Sequence, residues 1–279
     1  MNEVELKATL TDILASEALF KETDWAEISK HMLAHIGAID PVLRDELICS
    51  TFYNIISNDL LPFTQLADFA QILISENYLF KGIGLKEDDS VFTRTFSSLI
   101  ISRIVWSDQR HRFLQVQDMK LIQSKLLTYF VEEQDVRGYV AEKGWAHSVA
   151  HAADAINEVV LHPLTSKQDL PLILETLMKR VWYGDTTFYA KEDRRIVTPV
   201  LALLKQGFSE EDLCNFLEKE TKRMIEELPK VLCAEWITPA THRQCANVTN
   251  FLRSLYFATK NQDTYQVTHQ KVTELLTLL

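Results

Sequence analysis

Apolar residues return at steps of three and four through most of the chain, the spacing that lines one side of an α-helix. Leu121, Ile122, Leu126, Leu127 and Phe130 form one such set, and no stretch of comparable length alternates with a period of two. The breaks between these sets predict about twelve helices, over roughly 3–17, 23–36, 41–57, 63–76, 90–107, 117–134, 144–160, 167–183, 191–206, 209–227, 239–259 and 264–278. Thr23-Asp24, Asp40-Pro41, Ser90, Ser166, Ser209 and Thr238-Pro239 supply a capping oxygen or a first-turn proline at the starts. Gly37, Gly184 and Gly207 fall where C-terminal caps are expected.

Twelve helices in 279 residues make about six hairpins of roughly 45 residues, the repeat length of HEAT and armadillo arrays. The fold predicted is all-α, with stacked antiparallel helical hairpins forming a HEAT/armadillo-like α–α superhelix; a globular bundle is the second choice. An internal echo favours the repeat. Tyr78-Leu79-Phe80 leads through a loop to Lys86-Glu87-Asp88 and an apolar helix, and Val181-Trp182-Tyr183 leads through Gly184 to Lys191-Glu192-Asp193 and another. Nothing in the composition marks a linker, so one domain over 1–279 is expected, with its best hinge candidate at 81–90.

Only seven glycines and seven prolines occur, which disfavours turn-rich β and βαβ folds, and 47% apolar residues suffice for a core. A net charge of -10 without a dense Lys/Arg block disfavours nucleic acid. Cys49, Cys214, Cys233 and Cys245 are widely separated with no CxxC pair, as expected of free thiols in a reducing compartment. The first residues lack an export signal, and no apolar run reaches membrane-spanning length. A cytoplasmic protein with no membrane partner is expected.

The most informative stretch is 137–158. Read as a helix over 144–160, it places His147, His151, Asp154 and Glu158 on one stripe, with Trp145, Val149, Ala152, Ile156 and Val160 opposite. Ala146, Ala150, Ala153, Ala155 and Ser148 form small flanks that let neighbouring helices approach on both sides. The ungapped run from Asp135-Val136-Arg137-Gly138-Tyr139 through Lys143-Gly144-Trp145-Ala146-His147 to His151 and Asp154 resembles the signature of an uncharacterised bacterial family, domain of unknown function 2785. The resemblance implies membership over most of the chain, a helical fold and a downstream Glu-Asp-Arg element, here Glu192-Asp193-Arg194; it brings no established activity.

Several chemistries fit these residues. Two histidines at i and i+4 with Asp154 one turn on make a divalent-metal set, His147, His151 and Asp154, for which Glu192 or Asp193 would complete the shell. The glutamate of the His-Glu-x-x-His metalloproteases is absent, since Ser148-Val149-Ala150 lie between the histidines. Arg137 and Lys143 beside Gly138 and Gly144 form a basic approach to a helix start, fit for an anion, although Arg137 has Asp135 and Asp154 as alternative partners. Trp145 reads more readily as a core anchor than as a stacking platform. His31 and His35 repeat the spacing without acids on their stripe. The leading expectation is a binding protein whose concave groove holds a small polar ligand or a protein segment through Arg137, Lys143, Trp145, His147, His151 and Asp154. The alternative is a metal-assisted or His/Asp acid–base hydrolase completed by Glu192 and Asp193.

Overall fold

A computed structural model describes residues 1–232 and 238–279, with side chains described outside 227–237. Cys233 therefore lies outside the described residues. The chain is all-α, 71% helical, with 13 helices among the described residues. They are α1 (Glu3–Leu14), α2 (Glu17–Glu22), α3 (Trp25–Ala34), α4 (Ser50–Ser57), α5 (Phe63–Leu73), α6 (Ser90–His111), α7 (Val116–Glu132), α8 (Ser148–Leu161), α9 (Leu170–Val181), α10 (Glu192–Lys205), α11 (Glu210–Leu232), α12 (Pro239–Thr259) and α13 (Gln266–Leu276). A π-helical segment, Val42–Cys49, runs directly into α4, and a two-stranded antiparallel ribbon, β1 (Tyr139–Val140) and β2 (Gly144–Trp145), precedes α8. No helix among the described residues is long and apolar enough to cross a membrane.

Eleven of the twelve expected helices match in place. The helix expected over 144–160 begins late, at Ser148, and α2 was not expected. Its start is a Ser16 side chain accepting from Leu19 N–H at 3.3 Å, and none of its six residues is buried. A helix with no buried face leaves no apolar period to read. Of the three glycines expected as caps, Gly207 takes the left-handed conformation (φ 93°) after α10, whereas Gly37 and Gly184 are sites of close approach. A Cβ on Gly37 would fall 2.7 Å from Thr93 Cα, and one on Gly184 would fall 2.9 Å from the Ala240 carbonyl.

The chain divides into two compact units, Met1–Leu164 and Thr165–Leu279; the expectation is one domain over 1–279 with a candidate hinge at 81–90. The segment 81–90 is fastened within the first unit. Fully buried Arg94 donates from Nη1 to Lys81 O (2.7 Å) and Ser90 Oγ (2.8 Å), and forms a two-pronged pair with buried Glu133 (2.6 and 2.8 Å). Removing one partner of such a pair typically costs about 3–5 kcal/mol, because the other charge is left buried alone.

In the first unit α6 is the central element. It packs against α4, α5 and α8 and is buried on every side from Val91 to Ser98, after which Leu99, Arg103 and Trp106 form a partly exposed stripe. Two of its buried serines bond to the preceding turn: Ser97 Oγ donates to Thr93 O (2.6 Å) and Ser98 Oγ to Thr95 O (2.7 Å). In the second unit α10 packs against α9 and α12, and α11 against α13. Helices two apart in sequence thus pair within each unit, α4 with α6, α6 with α8, α10 with α12 and α11 with α13. The Ala146, Ala150, Ala153 and Ala155 side chains are fully buried, and α8 packs against both α6 and α7, as its small flanks predicted.

Candidate functional site

The residues just ahead of α8 form the ribbon rather than a helical turn, which displaces Gly144, Trp145 and Ala146 from the helix predicted over 144–160. Tyr139 pairs with Trp145 and Val140 with Gly144. The turn needs left-handed backbone at Glu142 (φ 64°) and Gly144 (φ 80°), which no α-helix can contain. Gly144 is also a steric requirement, since a Cβ there would lie 2.9 Å from Pro41 Cβ and 3.1 Å from Arg44 Nη2. Arg44, fully buried, clamps this turn. Its Nη2 donates to Lys143 O (2.6 Å), its Nη1 to Ala38 O (2.7 Å), and its guanidinium stacks 4.2 Å from the centre of Phe92.

The two cations expected to meet an anion are committed to the protein's own carboxylates. Arg137 Nη2 lies 2.6 Å from Asp135 Oδ2 and also donates to Asp88 O (3.2 Å). Lys143 Nζ donates to Asp89 at 2.7 and 2.8 Å. Ser148 Oγ, buried, donates to Asp135 O (2.6 Å) and acts as a packing residue. Glu158 accepts from Gln109 Nε2 (2.9 Å), which ties the lower end of the predicted stripe to α6.

What remains at the upper end is a row of rings. His147 caps α8 in the left-handed conformation (φ 50°), rare for a residue with a side chain. Its ring stacks on Trp145 at 4.2 Å between centres and 17° between planes. His147 meets His151 edge-on at 5.6 Å, and His151 meets Phe96 of α6 at 5.9 Å. Trp145, expected as a core anchor, is 43% exposed and meets the 55% exposed Tyr139 edge-on at 5.1 Å between ring centres. The helical phase that placed it on the apolar side does not extend into the ribbon. His151 Nδ1 lies 3.5 Å from Asp154 Oδ2, and the two side chains are 15% and 22% exposed. The row thus runs from an open aromatic pair to sheltered imidazole and carboxylate.

A second carboxylate reaches this end from the π-helical segment. Asp45 Oδ2 lies 3.3 Å from where a Gly144 Cβ would sit, and its Oδ1 is 2.7 Å from Arg44 Nε in an ion pair that is not an aligned hydrogen bond. Burial pushes the Asp45 carboxyl up, against the opposing pull of Arg44 and His151. Arg44 and Asp45 were not anticipated. The signal was present, since Arg44 stands in helical register with Ile48, Thr51, Phe52 and Ile55, all buried. A charge on an apolar stripe, and a π-helical stretch to carry it, both favour a functional or architectural role.

Glu192 and Asp193 belong to the second unit, where Glu192 accepts from Ala190 N–H (2.8 Å) and Asp193 from Ser254 Oγ. Among the described residues no group of three or more His, Cys, Asp and Glu side chains is arranged to hold a metal ion. His31 and His35 do have acids nearby: Glu27 lies 3.9 Å from His31 and Glu3 lies 3.8 Å from His35. One of these, Glu27, sits a helical turn before His31 on the same stripe.

These features define an all-α protein in which a clamped ribbon displays aromatic rings beside a histidine-bearing helix start. The chain belongs to the family described as "Protein of unknown function (DUF2785)", whose model matches residues 79–257. That span includes the ribbon, α8 and Glu192-Asp193-Arg194, and begins after the Arg44 clamp. No curated protein and no solved structure matches the chain.

Proposed function

We propose that this is a binding protein whose recognition surface is the row Tyr139, Trp145, His147 and His151, flanked by Asp45 and Asp154. The observation that carries the reading is the exposed Trp145 stacked on a left-handed His147. A large ring turned outward and a backbone held in an unfavourable conformation both cost stability, and such costs concentrate where a ligand is met. The ligand is a small polar molecule or a polar stretch of protein, with a flat face for the indole and hydrogen-bonding groups for the imidazoles and carboxylates. Arg137 and Lys143 hold the surface in place instead of contacting the ligand. The pairing of alternate helices supports a HEAT/armadillo-like reading of the scaffold, and the free Cys49, Cys214 and Cys245 support a reducing, cytoplasmic setting.

A thermal-shift panel of amino acids, sugars, dicarboxylates, nucleosides and short peptides tests this. At a hundred times its Kd a ligand adds about 2.7 kcal/mol of stability, a shift of roughly 5 °C in a chain of this size. We expect at least one compound to give that shift, and the shift to vanish in Trp145→Ala and His151→Ala. No shift by any compound, or one that survives both substitutions, overturns the reading. A second reading, His/Asp acid–base hydrolysis, draws on the Asp154–His151 contact. It requires turnover of an ester or amide that His151→Ala abolishes.

A further inference from the structure

We infer that the second unit carries a binding pocket of its own for a small aromatic carboxylate. Two helices build it with the same spacing. On α9 and its C-terminal cap the positions i, i+3, i+4 and i+7 are Glu175, Met178, Lys179 and Trp182; on α11 they are Phe216, Lys219, Glu220 and Arg223. Together they line a pocket of about 470 Å³, within the roughly 300–1,000 Å³ of small-molecule sites. Its floor is apolar: buried Met178, with Trp182 and Phe216 edge-on at 6.5 Å and 86°. The Trp182 indole N–H, turned away from solvent, has no acceptor among the described residues, so no hydrogen bond fixes the tilt of that ring. A planar guest against this pair completes an aromatic cluster of favoured geometry.

The rim selects the charge. Glu175 is taken by Lys179 at 3.1 Å and Glu220 by Arg223 at 2.7 Å. Lys219 has no carboxylate within ion-pair distance among the described residues, which leaves the rim with one more cation than anions. A carboxylate on the guest supplies the missing partner, and Arg223, whose Nη2 is held by Glu220, adds a second positive charge at the same rim. Inorganic anions gain nothing from the floor, and neutral aromatics gain nothing from the rim. Both parts are needed.

Calorimetric titration of the full chain with 2-naphthoate tests the assignment. We expect saturable one-to-one binding, about tenfold weaker for the neutral 2-naphthamide, and none for inorganic phosphate. Lys219→Gln with Arg223→Gln should weaken 2-naphthoate about tenfold and leave the amide unchanged. Phe216→Ala should weaken both, and Trp145→Ala neither. Absence of saturable 2-naphthoate binding, equal affinity for acid and amide, or indifference to the double charge substitution overturns the proposal. The charge substitutions lie at the exposed rim and keep the test decisive should Phe216→Ala fail to fold.

Discussion

His147 concentrates the opposing demands on this chain. A left-handed residue with a side chain costs roughly 1–2 kcal/mol relative to the right-handed region, and here it is retained at the start of a helix, where serine, threonine or aspartate are the usual choices. Its compensation is local: stacking on Trp145 and the N–H donated to Arg137 O at 3.1 Å. If the ring is kept for recognition, replacing it separates backbone from side chain. His147→Ala loses the stacking and keeps the strain, whereas His147→Gly loses the stacking and relieves it. We expect the glycine variant to be more stable than the alanine variant by about 1 kcal/mol in chemical denaturation, with ligand binding abolished in both. Equal stability would mean that the left-handed backbone carries no cost here. The sequence marks His147 as one of a polar stripe within a helix expected over 144–160, whereas it stands just ahead of α8. Its conformation was not legible, because it is imposed by a turn that Arg44 holds from 99 residues away.

At the scale of elements, apolar periodicity marks a helix that buries one face, as for α7, and gives no signal for α2, which buries none. Helix α6 is expected over 90–107 and matches, although arginine, threonine and serine hold many of its buried positions. The ribbon escaped notice because two residues per strand are too few to alternate. The first turn of α10 sets two forces against each other at Glu192. A helix start favours a carboxylate, but Glu192 is only 2% exposed, and burial pushes its carboxyl above the ordinary value of 4.5, although Ala190 N–H opposes the shift. A carboxyl raised on folding stabilises the native state most below its unfolded pKa and loses that contribution as pH rises through the folded one. Glu192→Gln keeps an acceptor for Ala190 N–H and has nothing to ionise. Its stability relative to the parent should therefore climb as pH rises from 4.5 toward neutrality, by up to about 1.4 kcal/mol per pH unit over the window in which only the unfolded carboxyl is ionised. A pH-independent difference in urea midpoints would show that burial does not govern this group.

For the whole molecule, the sequence showed an all-α chain and drew attention to 137–158, but composition could not reveal the division after Leu164, since no glycine- or proline-rich linker marks it. The physical marker is instead the way the first unit closes. His162 ends α8, and Leu164 N–H donates to its Nδ1 at 3.1 Å, so Nδ1 is an acceptor and the ring's proton sits on Nε2. That Nε2–H donates to Asp108 Oδ2 at 2.8 Å, while Oδ1 accepts from Leu114 N–H at 2.8 Å, with both side chains fully buried. The last residues of the unit thus satisfy a carboxylate at the end of its central helix. The Arg94–Glu133 pair and the Arg44 clamp also close within residues 1–164. A fragment of residues 1–164 is accordingly expected to fold alone, with helical circular dichroism and a single cooperative melt. A fragment ending at 161 lacks the imidazole and removes that hydrogen bond from the Asp108 carboxylate, which should cost about 1.5–3 kcal/mol and lower its melting temperature by roughly 3–12 °C. If both fragments melt alike, the Asp108–His162 contact does not close the unit; if neither is cooperative, residues 1–164 depend on the rest of the chain and the boundary at Leu164 is not a folding boundary.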